Sequence, residues 1–168
     1  MTMNLPLDQL ARRLIPFIAG NMPGQPKFFR GARVFNNADI TLTTGVATIL
    51  TFNSERYDTD NFHSTSANTS RMTIPYAGVY RIGACVRFAA HVVGYRQLYL
   101  QVNAGSIIAD IVLNTNSVGG ISTDLVITTD WQFIAGDYVE FGVTQTSGGN
   151  LNVASIASWS PEFWIAQL

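Results

Sequence analysis

Charge is what this sequence has least of. Asp, Glu, Lys and Arg make up 12% of its 168 residues, where an average domain carries about 25%. The net charge is −1, which leaves no large electrostatic footprint for nucleic acid. A soluble monomer with so few charges is poorly protected against association. Either part of the surface is covered in an oligomer, or Thr, Asn, Ser and Gln build a polar surface without charge. Cysteine occurs once, at Cys85, so an internal disulfide is excluded. The two histidines, His63 and His91, fall in different regions, and no base–nucleophile–orienter set is visible. No catalytic residue is assigned, and the chain is read as non-enzymatic. No His/Cys spacing suits zinc, no Gly-rich loop joins a strand to a helix for phosphate, and no cofactor is expected. The 11 acidic residues, several in turns, leave little for the carboxylate pair of a glycan-cleaving enzyme. No apolar run reaches the ~20 residues of a membrane helix, so membrane insertion is not expected. A secretory signal is not visible either, because Arg12 and Arg13 fall in the middle of the N-terminal segment rather than before an apolar run.

What is present in quantity is period-two alternation. In MTIPYAGVYRIGACVRFAA, from Met72 to Ala90, a turn at Pro75–Gly78 feeds a long strand. Tyr80, Ile82, Ala84, Val86 and Phe88 share one face; Val79, Arg81, Gly83, Cys85 and Arg87 share the other. Alternation of this length predicts a β-strand with one face on a core. Cys85 then reads as a buried or half-buried structural thiol.

Residues 1–31 differ from the rest. Leu5, Leu7, Leu10, Leu14, Ile15 and Ile18 fit a short amphipathic helix, with Asn4 as N-cap and Pro6 in its first turn. Pro16 kinks or ends it, and residues 20–26, GNMPGQP, read as a linker. Such a helix has too little core of its own, so it must pack on its own domain, on sister subunits or on a different protein. Leu7, Leu10, Leu14, Ile15 and Phe17 are the residues expected to carry an attachment or assembly role.

From Ala32 to Leu168 everything reads as β. Ala32–Phe35 is a short strand with a turn at Asn36-Asn37. Ile40–Phe52 is a strand region broken at Gly45. Asn53–Ser70 is a polar excursion. Arg96–Val102 places Leu98, Leu100 and Val102 inward, with Gln97, Tyr99 and Gln101 outward. Ile107–Leu113 and Asp124–Thr128 continue the pattern across a loop at Asn114–Gly120. Ala135–Asp137 turns into Tyr138–Gln145, with Val139, Phe141 and Val143 inward. Ser147–Asn150 is a further turn, and Trp159–Leu168 closes the chain with Phe163 and Ile165 on one face. Eight to ten short strands separated by turn signals mean a β-sandwich or jelly roll. The predicted fold is therefore all-β, with a short N-terminal helical extension.

With those strands in place, Ala32–Leu168 resembles the globular head domain of complement component one-q, which shares its trimeric jelly roll with tumour necrosis factor. Phe52 opens the family pattern and Asp58 follows after five residues. Met72 stands where the pattern has Phe, and Gly78 and Tyr80 match its G-x-Y strand. Phe62 comes one residue before the expected aromatic, and His63 occupies that slot. Gly136-Asp137-Tyr138-Val139 is similar to the family's Gly-Asp-x-Val strand, and Ser160-Pro161-Glu162-Phe163-Trp164-Ile165 to its closing strand. The stretches TFNSERYDTDN, GYRQLYLQVN and YVEFGVTQTSGGNLNV are similar in style to prokaryotic and bacteriophage members on tail and head appendages. The resemblance implies a homotrimeric virion structural protein. Its N-terminal segment would join other virion proteins, and its jelly-roll head would be exposed for attachment to a host-surface glycan or protein, or serve as decoration. The alternative is a bacterial extracellular module of the same fold that binds carbohydrate or protein.

Specific residues follow from these readings. Tyr99, Tyr138 and Trp164, with Tyr95, Trp131 and Trp159, are candidates for outward or interface positions, where Tyr and Trp most often fill a subunit contact; saccharide stacking is the sharper alternative. Tyr99, Tyr138 and Trp164 are the expected trimer contacts. Arg81, Arg87 and Arg96 are expected to pair across subunits with Glu140 or Asp110. Asp58 and Asp60 supply hard oxygen donors of the kind that hold calcium, against the alternative of a loop of Asx-turns. Asn61, His63, Asn68 and Asn116 lie in the loops expected to contact a receptor. Asn68-Thr69-Ser70 matches a glycosylation acceptor, read as accidental in the absence of a secretion signal.

Overall fold

The structure, a computed structural model, describes residues 29–115 and 121–168. The expected N-terminal helix, with Leu7, Leu10, Leu14, Ile15 and Phe17, lies outside the described residues, as does Asn116.

Twelve strands form: β1 (Gly31–Phe35), β2 (Ile40–Leu42), β3 (Thr48–Ile49), β4 (Ser54–Asp58), β5 (Arg71–Thr73), β6 (Gly78–Phe88), β7 (Tyr95–Val102), β8 (Ser106–Asn114), β9 (Thr123–Phe133), β10 (Tyr138–Gln145), β11 (Leu151–Val153) and β12 (Glu162–Gln167). In one sheet β4, β1, β12 and β6 lie in that order, with β9 paired along β6 and the short β11 and β2 continuing from the end of β6. In the other, β3 and β5 pair end to end along one edge of β10, whose other edge pairs with β7, followed by β8. All pairings are antiparallel. The two sheets stack as a jelly-roll sandwich, the all-β architecture that the alternation predicts.

The core sits between the sheets, where the alternation places it. Tyr80, Ile82, Ala84, Val86 and Phe88 of β6 are fully buried, as are Val139, Phe141 and Val143 of β10 and Phe163 and Ile165 of β12. Phe52 stacks on Phe141 at 5.9 Å between ring centroids and lies 5.7 Å from Phe163. Tyr80 meets Phe62 and Phe133 edge-on, each at 6.0 Å. These contacts add to the area term that dominates burial of aromatic rings.

The sequence reading misses β4, β5, β11 and the far half of β9. Ser54–Asp58 lies inside the polar excursion and carries no apolar period. It is a strand because its backbone pairs with β1, Ala32 opposite Asp58 and Phe35 opposite Ser54, at a sheet edge where side chains meet solvent on both faces. β9 runs on to Phe133 because all eleven residues of β6 offer it partners, from Phe88 opposite Thr123 to Gly78 opposite Phe133.

Register also defines two ends. The chain enters at Phe29–Gly31, where Gly31 faces Ala166 and Ala166 faces Arg81. The Gln167 N–H donates to the Arg30 carbonyl there, and Arg30 lies over the Tyr76 ring. This proximal end holds the β5–β6, β7–β8 and β9–β10 connections. The β2–β3, β6–β7 and β10–β11 connections lie at the opposite, distal end, where β8 ends and β9 begins.

Candidate functional site

Two faces, one open side and two loop clusters are available for chemistry. On the outer face of the first sheet, Trp164 lies flat against Gly83: a Cβ at Gly83 would fall 2.2 Å from the indole ring. On the outer face of the second sheet, Tyr99 occupies the equivalent notch over Gly142, where a Cβ would fall 2.1 Å from its ring. Burial, and then the nearby Glu140 and Asp110 carboxylates, push the Tyr99 phenol up from its ordinary value. Tyr138 sits on that same face beneath the Arg71 guanidinium, 4.0 Å from the ring centroid. Tyr99 and Tyr138 therefore share a face, and Trp164 lies on the opposite one.

The expected intersubunit arginine pairs are corrected. Arg81 forms a bidentate pair with Asp130 (2.9 and 3.0 Å), and Arg87 with Asp124 (2.6 Å for both bonds), within the chain. Each pair joins residues directly opposite in the β6–β9 ladder, where opposite charges attract across strands. The Arg81 hydrogen bond holds the Asp130 carboxyl below its usual range. Glu140 accepts from Ser70, Arg71 and Gln101, and Asp110 accepts from Gln97. Arg96 is not on an outward face. It shares the inward parity of Leu98 and Leu100 and is fully buried, which pushes its pKa down. Its guanidinium donates to the carbonyls of His91, Val93 and Tyr95. Glu162, which the sequence reading left without a role, is fully buried and receives both Arg33 and Arg56. Arg56 also donates to the Ala157 carbonyl at 2.6 Å.

The polar loop is a built turn. Asp58 accepts the backbone N–H groups of Asp60 (3.2 Å), Phe62 (3.0 Å) and His63 (2.9 Å), the Asx-turn pattern. Asp60 accepts from the Thr59 hydroxyl at 2.6 Å. Among the described residues no group of three or more His, Cys, Asp or Glu is placed to hold a metal ion. His63 is corrected as a contact residue: its side chain is fully buried. Its Nδ1 lies 2.9 Å from Glu55 Oε1 and its Nε2 3.1 Å from the Thr69 carbonyl, so it fastens the loop from inside. Asn61 and Asn68 are exposed with left-handed backbone, at φ 58° and 51°. Asn61 sits at the proximal end, because Asp58 pairs with Ala32 and the Thr59 N–H donates to the Gly31 carbonyl. β8 ends at the distal end, with Asn114 opposite Tyr95.

The sequence reading also missed an apolar open side. β8 and β9 are edge strands of the two sheets; Ile111 and Leu113 on β8 and Trp131 on β9 are exposed along that side, while Val126, opposite Cys85, is exposed on the outer face of the first sheet and Ile107 and Val112, opposite Gln101 and Gln97, on that of the second. The signal was visible as the run IIADIVL, whose apolar residues fall on both strand faces. One sheet can bury only one of those faces.

Cys85 is buried, and its thiol donates to the Trp159 carbonyl at 2.6 Å. Burial first, and the Glu162 carboxylate second, push its pKa from 9.0 up to about 11. The unfolded thiol loses its proton at a lower pH than the folded one. Between those two values the unfolded state binds fewer protons, so stability falls as pH rises. Denaturant midpoints measured from pH 8 to 11, in steps, are expected to decline over the upper part of that range, and Cys85→Ala is expected to flatten the decline. At neutral pH a thiol reagent should label Cys85 only after unfolding.

No known protein-family profile matches this chain, and no curated protein does. Among solved structures it is similar to the Eiger TNF from S. frugiperda, at 13% sequence identity and a TM-score of 0.58, covering 83% of this chain and 92% of that one. At that identity the likeness speaks to architecture alone, and the architecture is the tumour necrosis factor type of jelly roll.

Proposed function

We propose that the chain is a non-enzymatic, homotrimeric appendage of a bacteriophage particle. Residues 1–31 fix it to other virion proteins, and its jelly-roll head is exposed at the particle surface. The observation that carries this reading is the apolar open side. Ile111 and Leu113 on one edge strand and Trp131 on the edge strand of the other sheet are exposed along it, in a chain with 12% charged residues. An apolar stretch on an unpaired edge invites association, and a cyclic assembly covers it in a closed form. The outer face of the first sheet, with Trp164 set flat against Gly83, is the complementary surface in this reading. The motif style of the head and the short N-terminal segment support the particle role. Several weak sites per trimer, and many trimers per particle, would then act by avidity.

Light scattering of the full chain tests the assembly, with three times the 18.4 kDa chain mass expected. Val126→Asp should shift that mass towards one chain without loss of β-structure by circular dichroism. A monomeric wild-type chain would defeat the assembly. Absence of the protein from purified particles would defeat the appendage role.

A further inference from the structure

A hydrogen bond needs a proton, and one buried cluster has more bonds to make than a neutral histidine can supply. His63 lies in the polar loop after β4, and its side chain is fully buried. Its Nδ1 lies 2.9 Å from Glu55 Oε1, and its Nε2 lies 3.1 Å from the Thr69 carbonyl oxygen. Both partners are acceptors: a carbonyl oxygen never donates, and a carboxylate donates only when it is itself protonated. A neutral imidazole carries one N–H. It satisfies one of the two contacts and turns a bare lone pair towards the oxygen at the other. Two hydrogen bonds here need a proton on Nε2 and a second between Nδ1 and Oε1. That is one proton more than a neutral histidine beside an ionised glutamate holds.

The same cluster joins the two ends of a loop tip. On the near side the His63 N–H donates to Asp58 Oδ2 at 2.9 Å. On the far side the Thr69 carbonyl also accepts the N–H of fully buried Phe52, at 2.8 Å. Between them Thr65, Ser66, Ala67 and Asn68 are exposed. The bonds within the tip lie at the surface, with Ser64 Oγ accepting the Ser66 and Ala67 N–H groups at 3.3 and 3.2 Å, and water can replace them. The His63 ring is the buried side chain that spans the tip. The charged groups on the neighbouring elements have partners of their own. Asp58 accepts three backbone N–H groups, Arg56 of β4 goes to Glu162, and Arg71 of β5 goes to Glu140 of β10 at 3.2 Å. Phe52 meets the imidazole edge-on at 6.5 Å between centroids. The Glu55 side chain is 32% exposed, which gives a proton on the cluster a way to solvent.

We propose that Glu55, His63 and the Thr69 carbonyl form a proton-operated latch on the loop tip Ser64–Asn68. With the extra proton in place both ring nitrogens are hydrogen-bonded and the tip is closed. Without it one nitrogen faces an oxygen lone pair in a buried site, where an unmade hydrogen bond is costly, and the tip opens. The closed tip binds one proton more than the open one, so closure weakens as pH rises. Histidine changes charge between about pH 5 and 8, and a coupled pair of groups titrates as a unit. The latch operates whether or not the chain is a particle appendage. It makes the arrangement of the exposed residues Thr65–Asn68 depend on the acidity around the molecule.

The test is nitrogen-15 NMR of the full-length protein from about pH 5 to about pH 9, a range that spans the ordinary histidine titration, with His91→Gln used to assign the His63 ring. At the acid end both His63 ring nitrogens are expected to carry slowly exchanging protons. As pH rises one of those protons is lost, and the backbone amides of Ser64–Asn68 shift with the same midpoint. Glu55→Gln should abolish that dependence. Its side-chain amide can donate to Nδ1, a neutral ring keeps the Nε2 proton for Thr69, and the tip stays closed at every pH. A singly protonated ring throughout, a doubly protonated ring and an unchanged tip throughout, or ring titration without tip movement at the same midpoint each overturns the latch. So does a Glu55→Gln tip that moves as the wild type does or that is open over the whole range.

Discussion

Replacing Phe163 with Ala is expected to cost about 3–5 kcal/mol of folding stability, the range for deleting a large ring from a close-packed core. Phe163 is fully buried and lies 5.7 Å from Phe52 and 6.1 Å from Phe141. It thereby joins the closing strand of one sheet to β10 of the other. Its neighbours are rigid aromatic rings on paired strands, which collapse poorly into a void, so the cavity term is retained. Chemical denaturation should show a lower midpoint with an unchanged slope. Tyr80→Ala should behave alike, with one further loss: the phenol donates to the Tyr76 carbonyl at 2.7 Å and so pins the turn that starts β6. A negligible change in either variant would mean that the strand faces are inverted.

The second large effect is expected at Glu162. Its carboxylate is fully buried and receives two guanidiniums, from Arg33 and Arg56. Glu162→Ala would leave both cations facing an emptied site. Breaking a buried ion pair from one side costs about 3–5 kcal/mol. The arginine side chains here are 37% and 31% exposed, so water can recover part of that, and a loss of about 3 kcal/mol or somewhat less is expected. Glu162→Gln retains the shape and an acceptor oxygen and should lose less. Because Arg33 lies on β1 and Arg56 on β4, the substitution should also loosen that edge of the sheet, read as faster amide exchange in Ser54–Asp58 than in β6. Equal stability of Glu162→Ala and wild type would show that the arginines find other partners.

The alternating strands were legible in the sequence because their cause is local. In Gly78–Phe88 and Tyr138–Gln145 each residue's face follows from its parity, and the apolar residues keep to one parity. The strand core and the jelly-roll class follow from that rule, whereas Cys85 has the outward parity and is buried beneath the β11–β12 connection, its thiol on the Trp159 carbonyl. β4 was not legible, because SERYD carries no apolar period; its strand state comes from a backbone ladder with β1, whose partners lie 19 to 26 residues away in sequence. The arginine partners were not legible either. Arg81 meets Asp130 and Arg87 meets Asp124 because β9 pairs with β6 in one particular register, and no local pattern encodes a register between strands so far apart. Arg96 reads as a surface cation by type, yet the inward parity of β7 takes it beneath a loop whose carbonyls replace water.

Sequence alone therefore determined which residues face inward and that two sheets must stack over them, since parity along a strand is a property of the backbone. The tertiary structure alone decided which strands are neighbours, which charges meet and which connections share an end of the sandwich. Those outcomes depend on long-range pairing, where many arrangements share the same local pattern and only the packed whole selects one.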